Sequence, residues 1–153
     1  MNEILLEFLD KGPAHVPVRT SFDNVAAEIR HKRPSESTST VWEELEHMRL
    51  AQEDIFNYMI DPDWVSPEWP AGYWPQKKTQ LSDDAWQDTC NGFCRNLDQI
   101  VKFVKETDLD LIQPIIHAPE HSYLREIFLI IDHNAYHSGK IIMIRKFFKN
   151  WPG

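Results

Sequence analysis

Three long stretches of this chain repeat apolar residues every three or four positions, and almost nowhere do apolar and polar residues alternate. The first period is that of a helix with one buried face; alternation would be that of a half-buried strand. Glycine is scarce at five residues, and runs of β-branched residues are nearly absent, so a chain built from long helices is what these residues allow.

The clearest stretch runs from about Thr40 to Ile60. Thr40 and Glu43 stand at the spacing of a capping box, in which each side chain satisfies a backbone N–H left open at a helix start. Val41, Leu45, Met48, Gln52, Ile55 and Met59 then trace one face, and Asp61-Pro62 ends it. The next stretch begins at the N-cap residue Ser82 and runs to about Glu106, with Trp86, Cys90, Phe93, Leu97, either Ile100 or Val101, and Val104 as its stripe. Gly92 weakens this helix by roughly 1 kcal/mol relative to alanine, which points to a close packing contact or a functional neighbour there. A last helix begins near Ser122 and runs to about Phe148.

The N-terminal region reads as a broken helix. "NEILLEFLD" forms a short one stopped by Gly12-Pro13, and "SFDNVAAEIRHK" resumes it until Pro34. With that pair counted as the first helix, the chain reads as a single all-α domain over residues 1–153, a four-helix bundle. Residues 61–81 make a connection longer than most. Such a length lets the second and third helices run parallel by crossing the bundle end, which a short turn cannot do. That connection carries Trp64, Trp69, Tyr73 and Trp74 among four prolines, and reads either as a rigid cap or as the wall of a ligand pocket.

Several function classes are disfavoured. A formal net charge of -8 argues against a general nucleic-acid binder, which would show a basic stripe. No apolar run approaches the length of a membrane span. Glu3, Glu7 and Asp10 interrupt the N-terminal apolar patch, no basic region precedes it, and a cytoplasmic protein is the expectation. The two cysteines, Cys90 and Cys94, are one helical turn apart rather than in a C-x-x-C redox arrangement, and pack as small hydrophobes.

The chemistry lies in "IIDHNAYHSGKIIMIRKFF", residues 130–148. At about 100° per residue, Ile130, His133, His137, Ile141, Ile144 and Phe148 share one side of the helix. One imidazole on an apolar face is ordinarily a hydrogen-bonded core residue. Two at i and i+4 bring their ring nitrogens toward a common point, as helical metal sites need. The spacing matches that of the zinc proteases' H-E-x-x-H, but Asn134 stands where their general base would be and cannot take a proton, so a peptidase is a poor reading. A base, if one is needed, would come from a carboxylate elsewhere, such as Glu43, Glu44 or Asp54. Of the other histidines only His47 lies mid-helix, and by periodicity it is an edge residue beside Ala51, Asp54 and Tyr58.

In "VWEELEHMRLAQEDI", "WPAGYWP", "LREIFLIIDHNAYHSGKI" and the terminal "NWP" the chain resembles the DinB-like superfamily, including the YfiT-type metal-dependent hydrolases, over nearly its whole length. The resemblance implies a four-helix bundle of up-down-down-up topology. It implies a divalent metal held by one histidine of the second helix and an H-x3-H pair of the fourth, here His47, His133 and His137. Three imidazoles with positions left for water describe an open, catalytic type of site, and nitrogen donors suit Zn or Ni. Asp54 is the expected hydrogen-bond partner behind the ligands, whereas Asp132 projects toward solvent. The resemblance further implies a small-molecule substrate, a homodimer, and either a thiol-dependent S-transferase with a low-molecular-weight thiol as cosubstrate or a hydrolase. The alternative is a non-catalytic stress-response or ligand-binding protein that uses its metal as an anchor or staple.

Overall fold

The computed structural model describes residues 1–75 and 82–152. Four helices dominate it: α1 (Asn2–Asp10), α2 (Val41–Ile60), α3 (Asp83–Glu106) and α4 (Tyr123–Phe147). Each long helix starts where its cap predicts. The Thr40 hydroxyl accepts from the Glu43 backbone N–H and the Glu43 carboxylate accepts from that of Thr40, while Ser82 and Ser122 accept from Ala85 and Arg125.

Hydrogen bonds between the helices give their sense. The Trp42 indole donates to the Thr89 hydroxyl, the Gln52 amide donates to the Phe93 carbonyl, and the Phe56 ring meets Phe103, so residue numbers climb together along α2 and α3. Against α4 they run opposite: Glu44 meets His137, and His47 meets His133. Asn2 of α1 donates to the carbonyl of Val104 near the end of α3. The expected crossover over 61–81 passes in part through residues 76–81, which lie outside the described residues.

The core is the sum of the predicted stripes. Leu45, Met48 and Met59 of α2, Phe93, Leu97, Ile100 and Val104 of α3, and Ile127, Ile130 and Ile141 of α4 are all fully or almost fully buried. Each such side chain contributes roughly 1.5–3 kcal/mol by leaving water. Ile100 rather than Val101 faces inward, and Cys90 is only half-buried. Gly92 answers to a close contact: a Cβ there would stand 2.7 Å from Cδ of Arg49, which is held by Glu46 and Glu53.

Two expectations need correcting. Residues 21–32 do not resume a helix; the region holds only short 3-10 turns at Val18–Ser21 and Ala27–Ile29. Asn24 sits at a φ of 53°, the left-handed region that asparagine tolerates and a helix does not. The apolar spacing still reported burial, because Phe22, Val25 and Ile29 are all in the core and Phe22 packs edge-on against Phe93. The chain also has a small antiparallel hairpin, β1 (Pro114–Ile115) with β2 (Ala118–Ser122), which closes the core between α3 and α4 with Leu111, Ile115 and Ala118. It is too short to carry a strand signature, and the chain remains an all-α four-helix bundle.

Candidate metal centre

α2 has two buried faces where periodicity marked one. Beside the apolar stripe, Glu44, His47, Ala51 and Asp54 recur at spacings of three and four, and all four are buried. The apolar stripe faces the core, while this second row faces α4 and the aromatic connection. His47, an edge residue by periodicity, is 4% exposed.

The row brings His47 against the two histidines of α4. Nε2 of His47 lies 3.1 Å from Nε2 of His133, and the His47 ring centroid stands 4.5 Å from that of His137. One ring nitrogen from each of His47, His133 and His137 falls within 4.8 Å of the other two. The other histidines stand apart: His117 bonds the Tyr58 carbonyl, His121 the Tyr58 hydroxyl, His15 its neighbour's carbonyl, and His31 packs on Trp42.

The tautomers of two of these rings follow from their partners. Nδ1 of His47 is 2.6 Å from the carbonyl oxygen of Tyr73, which can only accept, so Nδ1 carries the proton and Nε2 a lone pair. Nδ1 of His137 is 2.6 Å from Oε2 of Glu44, so Nδ1 carries the proton that the carboxylate accepts and Nε2 is the nitrogen left for the cluster. Two of the rings are held neutral. Burial first, and then its neighbours His137 and His47, pushes His133 down to about 3. Burial first, with His137 and Lys140 adding to it, also lowers His47. Buried neutral imidazoles with inward lone pairs are what a cation needs.

The donor set fits a divalent ion. Two nitrogens that each lie about 2.0–2.1 Å from one metal stand about 2.9–3.4 Å apart for angles from octahedral to tetrahedral, and the His47–His133 nitrogens are 3.1 Å apart.

The groups behind the ligands differ from the sequence expectation. Asp54 does not touch an imidazole; its carboxylate accepts from the Trp64 indole at 2.8 Å and from the Tyr73 hydroxyl at 2.6 Å. It pins the aromatic connection, whose Tyr73 carbonyl orients His47 and whose Trp74 stacks on the His47 ring with centroids 4.1 Å apart and planes 1° from parallel. The connection is therefore a wall of the site. Residues 76–81 of that connection lie outside the described residues.

Glu44 is the carboxylate that meets a ligand. It is fully buried, accepts from His137, from the Lys140 ammonium at 2.6 Å and from the Ser39 hydroxyl. Burial alone would raise its carboxyl, but these three donors hold it below the usual range. The Lys140 ammonium also lies over the Trp74 and Tyr136 rings. The signal for Glu44 was present in the sequence: it stands three residues before His47, on the same helix face. Asn134 is buried and donates to Gln52, and Asp132 is exposed as expected.

Among the described residues no helix is long and apolar enough to cross a membrane. No curated protein and no solved structure matches the chain. A family model does, over residues 18–141, a span that takes in α2, α3, the aromatic connection and all three clustered histidines; the chain belongs to the DinB superfamily.

Proposed function

We propose that the protein is a metal-dependent enzyme whose divalent ion is held by His47, His133 and His137, and that it transfers a small thiol onto an electrophilic substrate. The observation that carries this reading is the convergence of three imidazoles, two of them turned inward by the Tyr73 carbonyl and the Glu44 carboxylate. When bound, the ion would act as a Lewis acid that favours the thiolate form of a thiol or acidifies a water. Zn or Ni suits the all-nitrogen set.

The side chains around the ligands favour thiol transfer over hydrolysis. A hydrolase of this type benefits from a carboxylate free to take a proton. The three candidate carboxylates are otherwise engaged. Glu43 caps α2 and pairs with Arg33, Glu44 holds His137 and Lys140, and Asp54 holds Trp64 and Tyr73. A bound ion would lower the pKa of a thiol enough for its proton to pass to solvent, and the thiolate sulfur would then bond the electrophilic carbon as that carbon's bond to its leaving group breaks, the departing group taking the electron pair. Trp74 supplies a flat apolar wall for a small-molecule substrate beside the imidazoles.

The test has two stages. Metal analysis of the purified protein should find near one equivalent, and His47→Ala should lose it; full occupancy in the variant would remove the three-histidine site. The loaded protein is then offered glutathione-like and other small thiols with a panel of electrophiles, and in parallel ester and amide substrates. Metal binding with no turnover in either set supports the alternative, a non-catalytic binding protein anchored by its metal.

A further inference from the structure

We propose that a groove along the last two turns of α4 binds the apolar body of the substrate, and that Lys140 at its inner end pairs with a carboxylate on that molecule. The inference rests on the metal-dependent enzyme reading for the use made of the ligand, but not for its binding. The groove opens between α4 and the 34–39 turn with a volume of about 430 Å³, within the range of about 300–1,000 Å³ common to small-molecule sites. Pro34, Met143, Ile144 and Phe147 give it an apolar length, and Ser39 and Lys140 are its polar members. Met143 and Phe147 are 67% and 62% exposed, an apolar surface left open among the described residues.

Glu44 ties the polar end of the groove to the metal centre. One oxygen of its carboxylate accepts from the Ser39 hydroxyl and, at 2.6 Å, from the Lys140 ammonium, while the other accepts from Nδ1 of His137. Lys140 stands one turn beyond His137 and Phe147 two turns beyond Lys140, so the groove leads away from the imidazoles along about 10 Å of helix. The Lys140 ammonium also lies 5.8 Å from the centre of the Trp74 ring, which stacks on His47. A molecule that reaches the imidazoles along Trp74 therefore passes beside Lys140, with the apolar length of the groove behind it.

Charge selects the head group. Among the described residues Glu44 is the ion-pair partner of Lys140, whose side chain is still 37% exposed, and an ammonium has further N–H donors to offer. Glu44 and Lys140 cancel, and Glu43 is paired with Arg33. Imidazole donors add no charge, so a loaded centre keeps the positive charge of its ion beside the groove. An anionic head is favoured there over a neutral or cationic one, and the apolar lining beyond it disfavours a second charge. The facing wall is set in advance. The Thr38 hydroxyl accepts from the Ser35 backbone N–H and donates to the Ser35 carbonyl, and Arg33 donates to the Thr38 carbonyl. A preformed wall lowers the ordering cost of binding.

Isothermal titration of the metal-loaded full chain with butanoate, hexanoate, octanoate and decanoate tests this, with metal content measured on the same samples. Affinity should rise by about four-fold for each added methylene until the groove is filled, and octanoate should bind at least about ten-fold more tightly than octylamine. Lys140→Gln should weaken octanoate about ten-fold while leaving neutral octanamide unchanged, a split that a merely structural role of Lys140 would not produce. Met143→Glu, at an exposed position, should keep the fold and the metal and abolish the dependence on chain length. Carboxylate binding that is absent, indifferent to chain length, or unaffected by both variants overturns the proposal. A protein that holds metal but binds no carboxylate loses this groove and keeps the enzyme reading. One that holds no metal and still selects octanoate through Lys140 and Met143 keeps the groove and loses the enzyme reading.

Discussion

Asp54→Ala should weaken metal binding although Asp54 touches none of the imidazoles. Its carboxylate receives the Trp64 indole and the Tyr73 hydroxyl at 2.8 and 2.6 Å. A hydrogen bond to a charged group contributes about 1.5–3 kcal/mol. Two such bonds would hold the aromatic connection by about 3–6 kcal/mol if nothing replaced them, and water will replace part, since Trp64 and Tyr73 are only partly buried. A working figure of about 2–3 kcal/mol remains for the latch. Its release frees the Tyr73 carbonyl that fixes the His47 tautomer and the Trp74 ring that fixes its plane. Loss of such supporting contacts typically lowers metal affinity about 10–100-fold, which corresponds to about 1.4–2.7 kcal/mol. That range is comparable to the latch energy, so the whole effect can arise from the connection letting go.

Competition titration against a chelating dye, with Zn and with Ni, measures the affinity; far-UV circular dichroism checks that the bundle is intact. Tyr73→Phe separates the parts, because it removes the hydroxyl and leaves the carbonyl, and should give a smaller loss than Asp54→Ala. An Asp54→Ala protein that is folded and binds metal as tightly as wild type refutes the latch.

Glu44→Gln keeps the shape but removes the charge that holds the His137 Nδ1 proton and leaves the Lys140 ammonium without its partner; metal affinity in the same titration should fall about 10–100-fold. In the metal-free protein, acid should destabilise the site. His133 is held near 3, so between the ordinary imidazole value of 6.5 and that figure the unfolded chain binds a proton that the folded one does not. Stability therefore falls as pH drops from 6.5 toward 3, and His133→Asn should flatten the melting temperature over that window relative to wild type. Cys90 is pushed up to about 12, by burial first and then by Cys94, so it stays a thiol at pH 8; native-state alkylation read by peptide mass spectrometry should leave it unmodified while the unfolded protein is labelled.

How far the sequence reached depended on which physical quantity each reading used. Caps and apolar stripes are local, and they placed α2, α3 and α4 and most of their buried residues. Residues 21–32 failed because one left-handed Asn24 undoes a helix without disturbing the spacing of Phe22, Val25 and Ile29 that suggested it. His133 and His137 were legible because both lie on one helix. His47 was legible only through the family resemblance, since a single-stripe projection cannot see that α2 buries a second face against α4. Asp54 was expected behind the ligands and Glu44 stands there instead for the same reason: both lie on His47's face, and only the path of residues 64–74 decides which meets an imidazole.

The energetics of the centre bear on whether its metal is a staple or a reagent. Nε2 of His133 and Nε2 of His47 can share one hydrogen bond at 3.1 Å, but bringing three imidazoles together takes polar nitrogens out of water at a cost that a bound cation offsets. Yet most of the core lies elsewhere: Leu5 and Leu9 of α1, Phe93, Leu97, Ile100 and Val104 of α3, and Ile127, Ile130, Ile141 and Ile144 of α4 belong to one hydrophobic cluster. Metal removal should then lower stability by mass action alone, about 2.7 kcal/mol at a hundred-fold excess over the dissociation constant, and leave a folded bundle. A structural site behaves otherwise, being closed by four ligands and unfolding when chelated. The described residues bring three ligands together, on two helices that are already packed. A chelated protein that retains helical circular dichroism and a cooperative melt argues for an open site; one that unfolds outright argues for the staple.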